Sequence, residues 1–424
     1  MHNLLTRTRG RLMSRRPTET ESNRRRKSHM LSAKAQPKVP VIVLGSGLTA
    51  LGVLRSYGRA GIPVYCVAED IGVVARSRWS KRPPGKHKSL RSPDELESFL
   101  EKLPFKKAVL VPCSDNWASA VARLSDGLSD RYLTSLPCRE TLDLLVDKGR
   151  FASALRQHGV SHPRTFLIES AEQLGSLDID DFTGSFLKPH NSHDFFKFYS
   201  VKACRVSSRE DAVEHYRQKR KDGFEVLFQE YIPGPSDNHY FIDGFVDRNG
   251  RVCALFARRR LRMFPVDFGN STYMVSVPLS EVKQAADDLR RFLPAIDYRG
   301  IFSAEFKFDE RDGLYKILEI NARPWWFVEF AATSGVDVCG MAYRDALGLK
   351  VPVVRQYRVG ARSVHPYFDI NICILLVKSG EMSLYGWARS WIGARYPVLC
   401  IDDPLPAIVW WSKRIRSKLM SSLR

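Results

Sequence analysis

The sequence predicts an α/β parallel-sheet domain followed by an α+β region, and three observations carry that expectation. Residues 39–70, "VPVIVLGSGLTALGVLRSYGRAGIPVYCVAED", read strand, glycine turn, helix, strand, and 108–124 repeat strand, loop, helix. Strands that alternate with helices build a parallel sheet. From residue 138 the texture changes to short helices and strands joined by hairpins, one turning on Asn249–Gly250 and a second spanning 301–323.

Taken in order, Gly45, Gly47 and Ala50 form a G-x-G-x-x-A turn, and Glu69 and Asp70 close the second strand. This is the pattern of a dinucleotide site whose helix N-terminus holds a pyrophosphate, and equally that of any tight strand–helix junction. Residues 138–168 give two short helices split near Asp147–Lys148, with Gly159 and Pro163 as stop signals before a strand. "GSFLKPH" (184–190) is a short strand carrying Lys188, and "EVLFQEYIPGP" (225–235) is a strand running into a Pro-Gly turn. The Asn-Gly pair then marks the hairpin 239–265. A helix over 280–293 and the hairpin 301–323 complete the region.

Composition excludes several classes. The 424 residues have the apolar and charged fractions of a globular protein, and the longest apolar runs, such as 372–377, are too short to span a bilayer. The basic N-terminus lacks the apolar centre of a secretory signal. Eight cysteines are scattered with no two within four residues, which gives neither a zinc pair nor a disulfide framework. The expected location is therefore the cytoplasm. Of the net charge of +20, residues 1–37 carry +8, from ten Lys or Arg against two Glu. Too few apolar residues accompany them to fold alone, so the segment is expected to be a disordered basic tail.

The hairpin carries the chemistry. In "YKILEINARPWWF" (315–327), Glu319, Asn321 and Arg323 are two apart and share one face of a strand. A turn at 310–314 pairs Asp309 with Tyr315 and so sets Glu305 opposite Glu319. Like charges facing each other destabilise a sheet unless water or a cation offsets them. Two carboxylates and an amide oxygen suit Mg²⁺, with phosphate oxygens completing the octahedron; a solvated hairpin face is the alternative. Lys148 and Lys188, from separate elements, are the point cations that nucleotide phosphates need. Between them and the hairpin lies "FQEYI" (228–232), whose backbone can take an adenine amino group while Glu230 takes ribose hydroxyls.

The order Lys148, "FLKP", "FQEYIPG", "ARRRLR", "AEFKFD", "LEINARPWW" resembles the ATP-grasp superfamily, and within it the carboxylate–amine ligase-like members. The resemblance covers about 40–350, and more loosely a C-terminal piece with "DDPLPA" (402–407). It implies a Rossmann-like pre-ATP-grasp domain (38–137), a two-lobed ATP-grasp domain (138–350) and a C-terminal segment (351–424). It also implies that Lys148 and Lys188 contact ATP, that Gln229, Glu230, Tyr231 and Ile232 form the adenine hinge, and that Glu305, Glu319 and Asn321 bind Mg²⁺ or Mn²⁺. Arg323 would then face the substrate carboxylate or acyl phosphate. The loop after Lys188 departs from the family in lacking a glycine-rich phosphate cover; His190, Asn191, Ser192 and His193 stand in its place.

The expected activity is ATP-dependent joining of a carboxylate to an amine through an acyl phosphate, a reaction that relies on positioning and charge neutralisation. Alternation puts Arg258, Arg260 and Arg262 on one strand face, where one or two of them, Arg260 being the residue named for the role, would stabilise the transferring phosphoryl; the pattern does not choose among the three, and a basic sheet face is the alternative. Trp325 and Trp326 suggest an anionic or ring-bearing substrate. An NAD-dependent oxidoreductase using Gly45, Gly47 and Glu69 leaves the carboxylate hairpin unexplained. A non-catalytic nucleic-acid or membrane binder is the third reading. No nucleic-acid motif appears. For membrane contact, "AIVWWSKRIRSKLMSSLR" (407–424) reads either as an interfacial helix or as a terminal helix docked on the body. The oligomeric state is left open.

Overall fold

Val41–Leu44 (β1), Val64–Val67 (β2), Ser80–Lys81 (β3), Ala108–Pro112 (β4) and Tyr132–Leu133 (β5) form an all-parallel sheet in the order β3-β2-β1-β4-β5. The structure, a computed structural model, describes residues 38–422 except 69–71, 86–89, 91, 178–183, 190–194, 196–197, 200, 202 and 267–268, and of 415–422 the backbone alone. The basic tail 1–37, Glu69, Asp70 and the loop residues His190 to His193 therefore lie outside the described residues. Every residue of β1 is buried, as a run of β-branched and leucine side chains covered on both faces requires. The turn after it is a packing turn: Gly45 has φ +131°, and a Cβ there would sit 3.0 Å from the Cys113 Cβ. Gly47, at φ +71°, begins the helix Gly47–Arg59.

A second sheet is antiparallel and four-stranded. Thr165–Leu167 (β6), Phe186–Pro189 (β7), Cys204–Arg205 (β8) and Val226–Gln229 (β9) run in the order β6-β9-β7-β8. Leu174, Leu187, Tyr216 and Phe228 make its core.

His239–Val246 (β10), Val252–Phe264 (β11), Asn270–Ser276 (β12), Gly300–Asp309 (β13), Leu314–Asn321 (β14) and Arg362–Val364 (β15) form the third sheet, ordered β14-β13-β10-β11-β12-β15. Alternation decides its faces. Phe302, Ala304 and Phe306 are fully buried in one cluster with Leu289 and Phe292 of the helix Lys283–Ala295, so Ser303, Glu305 and Lys307 point the other way. That helix begins three residues later than the sequence pattern places it.

Two registers differ from expectation. Asp309 pairs with Leu314 rather than Tyr315, and a bulge between Glu305 and Phe306 takes up the extra residue, so Glu305 still faces Glu319. A second irregularity, between Arg260 and Arg262, pairs Arg260 with Met274 and Arg262 with the adjacent Tyr273. Arg262 therefore leaves the face of Arg258 and Arg260, and its guanidinium pairs with the buried Asp369 at 2.7 Å.

The C-terminal segment contributes β15 and the helices Pro366–Lys378, Leu384–Trp391 and Leu405–Ser422. It is tied to the first sheet by buried ion pairing. Arg55 Nε lies 3.0 Å from Asp403 Oδ2, and the Arg55 guanidinium also donates to the carbonyls of Pro397 and Val398. "DDPLPA" is thus a structural strap across the parallel-sheet unit. Trp410 and Trp411 are half-buried, with the Trp410 ring 5.3 Å from His365 and both rings against Tyr367. These contacts are those of a helix docked on the body. No helix among the described residues is long and apolar enough to cross a membrane. We keep the divisions 38–137, 138–350 and 351–424 as a proposal, with the last part lending an edge strand to the third sheet.

Candidate active site

A cleft of about 410 Å³ lies where the four-stranded and six-stranded sheets meet. Its walls include Lys148, Lys188, Gln229, Glu230, Tyr231, Ile232, Arg260, Glu305 and Glu319, nine positions singled out in the sequence. Asn321 and Arg323 stand beside it, outside the lining.

Each wall residue is held by its local structure. Lys148 opens the helix Lys148–Gln157, which Asp147 caps by accepting from the Gly149 and Arg150 amides. Burial lowers the Lys148 pKa, while Glu319, Asp147 and Asp115 oppose that shift. Lys188 lies in β7 with its Nζ 4.9 Å from the Phe186 ring. After β9 the chain leaves the ladder, and neither Tyr231 nor Ile232 makes a backbone hydrogen bond among the described residues. Gln229 donates to Thr165 Oγ1 at 2.8 Å, while its buried Oε1 has no partner among the described residues. Unmet amide and carbonyl groups at a cleft wall are what a nucleobase edge requires. Glu230 is already engaged: Arg164 donates from its amide at 2.9 Å, and Arg311 donates to the other oxygen. Burial raises its pKa, but these donors hold the carboxylate below its usual value.

The ladder of β13 and β14 forms the other wall. Glu305 Oε1 accepts from Arg260 Nη2 at 3.0 Å and lies 2.9 Å from His239 Nδ1. Burial would raise its pKa, yet the Arg260 guanidinium and His239 hold the carboxyl well below the usual carboxylate range. Asn321 Nδ2 donates to Glu319 Oε1 at 2.9 Å, and Asn321 Oδ1 accepts from Arg323 Nη2 at 2.9 Å. Among the described residues no cluster of three or more His, Cys, Asp or Glu could hold a metal. The ladder offers two carboxylates and one amide oxygen. That set fits a hard cation whose remaining ligands come from phosphate and water.

Three expectations are corrected here. Of the arginines of "ARRRLR", Arg258 is neutralised by Asp243 at 2.6 Å, Arg259 by Asp237 at 3.0 Å and Arg262 by Asp369; only Arg260 lines the cleft. Arg323 does not present an open fork. Asp115, at the start of the helix Asp115–Val121, takes it bidentately at 2.8 and 3.2 Å, which with Asn321 and the Pro324 carbonyl leaves one of its five N–H groups. Trp325 is 5 % exposed and sits in the core beneath Arg258, while Trp326 stacks on Phe368.

Sequence reasoning missed His239, Lys307 and Asp115. Lys307, which lines the cleft and lies 4.6 Å from the Tyr231 ring centre, was available from alternation two residues after Glu305. His239 needed the pairing of β10 with β13, and Asp115 lies 208 residues from Arg323, so neither carried a local signal.

The architecture is the ATP-grasp fold preceded by a Rossmann-like domain, as the motif order implied. Over 335 residues the chain is 24 % identical to a D-aspartate ligase of Enterococcus faecium, covering 74 % of this chain and 78 % of that one. Among solved structures, the biotin carboxylase domain of the Hydrogenobacter thermophilus 2-oxoglutarate carboxylase, solved with MgADP, ADP and bicarbonate, aligns with a TM-score of 0.59. That match has 17 % identity and covers 77 % of this chain and 74 % of that one. The carboxyaminoimidazole ribonucleotide synthase of Aspergillus clavatus, solved with ATP, aligns at 0.57 with 15 % identity, covering 78 % and 82 %. No protein-family model matches the sequence.

Proposed function

We propose that the protein is an ATP-dependent ligase that joins a carboxylate to an amine and releases ADP and phosphate. The observation that supports this most is the convergence of Lys148, Lys188, the 229–232 hinge, Arg260 and the facing pair Glu305 and Glu319 on one cleft. In this reading the hinge takes the adenine, Glu230 the ribose, and the two lysines the phosphates. A substrate carboxylate oxygen attacks the γ-phosphorus, and the bond to ADP breaks. The amine nitrogen then attacks the acyl carbon, the carbon–oxygen bond to phosphate breaks, and the nitrogen loses its extra proton. Arg260 neutralises charge on the phosphoryl in flight. Arg323, fixed by Asp115, positions Asn321 at the end of the ladder. Glu305, Glu319 and Asn321 would hold Mg²⁺ or Mn²⁺, which when bound neutralises the phosphate oxygens.

The similarity to a D-aspartate ligase makes an amino-acid carboxylate the first acid to try, with a primary amine as acceptor. The proposed use of ATP favours a cytoplasmic location. The decisive test is ADP release by the purified protein across a panel of acids and amines. ADP formation that needs both partners supports the reading, and ADP formation indifferent to both refutes it.

A further inference from the structure

The cleft is not the largest cavity described. Another, of about 1130 Å³, lies between the helix Val328–Thr333 and the strap 394–412, and shares no lining residue with the cleft. It exceeds the roughly 300–1,000 Å³ of ordinary small-molecule sites. Phe330, Ala394, Tyr396 and Ala407 contribute to its largely apolar wall.

Three features bear on what it holds. Ser363 also lines it; the residue is 1 % exposed, and its Oγ has no hydrogen-bond partner among the described residues. An unmet buried hydroxyl in an apolar wall costs stability unless a ligand or water meets it. The lining charges are unequally satisfied. Arg59 is bound by Glu329 at 2.5 Å and Asp402 at 2.8 Å, whereas Arg395 is exposed and has no ion-pair partner among the described residues. The side chains around the cavity are apolar and face outward: Ile401 is fully exposed, and Leu399, Leu405 and Ile408 are 48–60 % exposed. Contiguous exposed apolar residues of this kind mark interaction sites. Their segment, 351–424, carries eleven Lys or Arg against four Asp or Glu.

We propose that this cavity binds the apolar chain of an anionic amphiphile, with the head group set against Arg395. A sugar or nucleotide would find few donors on these walls. A purely apolar ligand would leave both Ser363 and Arg395 unanswered. A chain with an anionic head satisfies the wall, the hydroxyl and the guanidinium together. The proposal does not depend on the ligase reading, because the two cavities are separate.

The test uses the full chain and cis-parinaric acid, a fluorescent fatty acid, beside its uncharged methyl ester. Saturable one-to-one binding of the acid is expected. Arg395→Glu should weaken the acid about tenfold or more while sparing the ester. Ala407→Trp, which fills the cavity, should abolish binding of both. Flotation with phosphatidylglycerol vesicles, lost on Arg395→Glu and not seen with phosphatidylcholine, would identify a membrane lipid as the source. Fatty-acid binding without flotation would identify a free amphiphile, and either result supports the site. Absence of saturable binding, or equal affinity in wild type and both variants, overturns it. So does tighter binding on deletion of residues 1–34, which would make the N-terminal segment the occupant. Probe uptake only on dissociation of a dimer would assign the surface to a second copy and overturn the proposal equally.

Discussion

Replacing Glu319 with alanine should stop turnover and leave the fold standing, and the structure sets both magnitudes. Glu319 faces Glu305 across the hairpin, and among the described residues its side chain accepts one hydrogen bond, from Asn321 at 2.9 Å. Losing that bond costs about 0.5–1.5 kcal/mol. Removing a like charge from a directly opposed pair returns about 0.2–1 kcal/mol. The two nearly cancel, so the metal-free variant should unfold within about 1 kcal/mol of wild type. Catalysis has no such compensation. One of two carboxylates that would carry the cation beside the phosphates is gone, and loss of one electrostatic contact of this kind costs about 10²–10³ in kcat. ADP release at saturating Mg-ATP, beside urea denaturation without metal, reads both quantities. Near-normal turnover would refute the metal assignment. A stability loss beyond about 3 kcal/mol would show that the pair is held by something other than a cation site.

Four further outcomes follow. His365 is fully buried with neither ring nitrogen bonded among the described residues, and burial lowers its pKa to about 4. Its folded value lies below the usual 6.5, so stability is intact above pH 6.5 and falls by up to about 3 kcal/mol as pH drops toward 4; His365→Gln should remove that slope from denaturation curves. Asp403→Ala should cost up to about 3–5 kcal/mol in urea, because it takes from the 0 %-exposed Arg55 the nearer of its two carboxylates and leaves Glu329 at 3.6 Å. Arg323→Lys should lower turnover about 10–100-fold with ATP affinity nearly unchanged, since a lysine cannot reproduce the two bonds to Asp115. Deletion of residues 1–34 should leave turnover as it was, and equal activity of Arg323→Lys and wild type would mean that the ladder ends at Asn321.

How much of this was legible depended on the range of the signal. The facing of Glu305 and Glu319 was readable because period-two alternation and a short turn fix a hairpin locally, and the one-residue error at Asp309 was absorbed by the bulge. The same rule failed at Arg262, where an irregularity invisible in sequence turned the side chain toward Asp369. Lys148 and Lys188 were found from the order of motifs, since neither has a distinctive neighbourhood. Asp115, Asp403 and His239 act through partners brought near only by tertiary packing, and no local pattern announces such pairs. Trp325 and Trp326 misled because a large ring beside a polar ladder fills a core as readily as it lines a substrate site.

The central claim is that a carboxylate is activated by phosphoryl transfer from ATP in this cleft. An acid labelled with ¹⁸O in its carboxylate, D-aspartate being the first choice, tests this directly when supplied with Mg-ATP and an amine that supports turnover. Mass analysis of the released phosphate should find one carboxylate ¹⁸O transferred per turnover, with ADP equal to amide formed, and Glu319→Ala should lose both. Amide formed with unlabelled phosphate, or with AMP in place of ADP, would contradict the account.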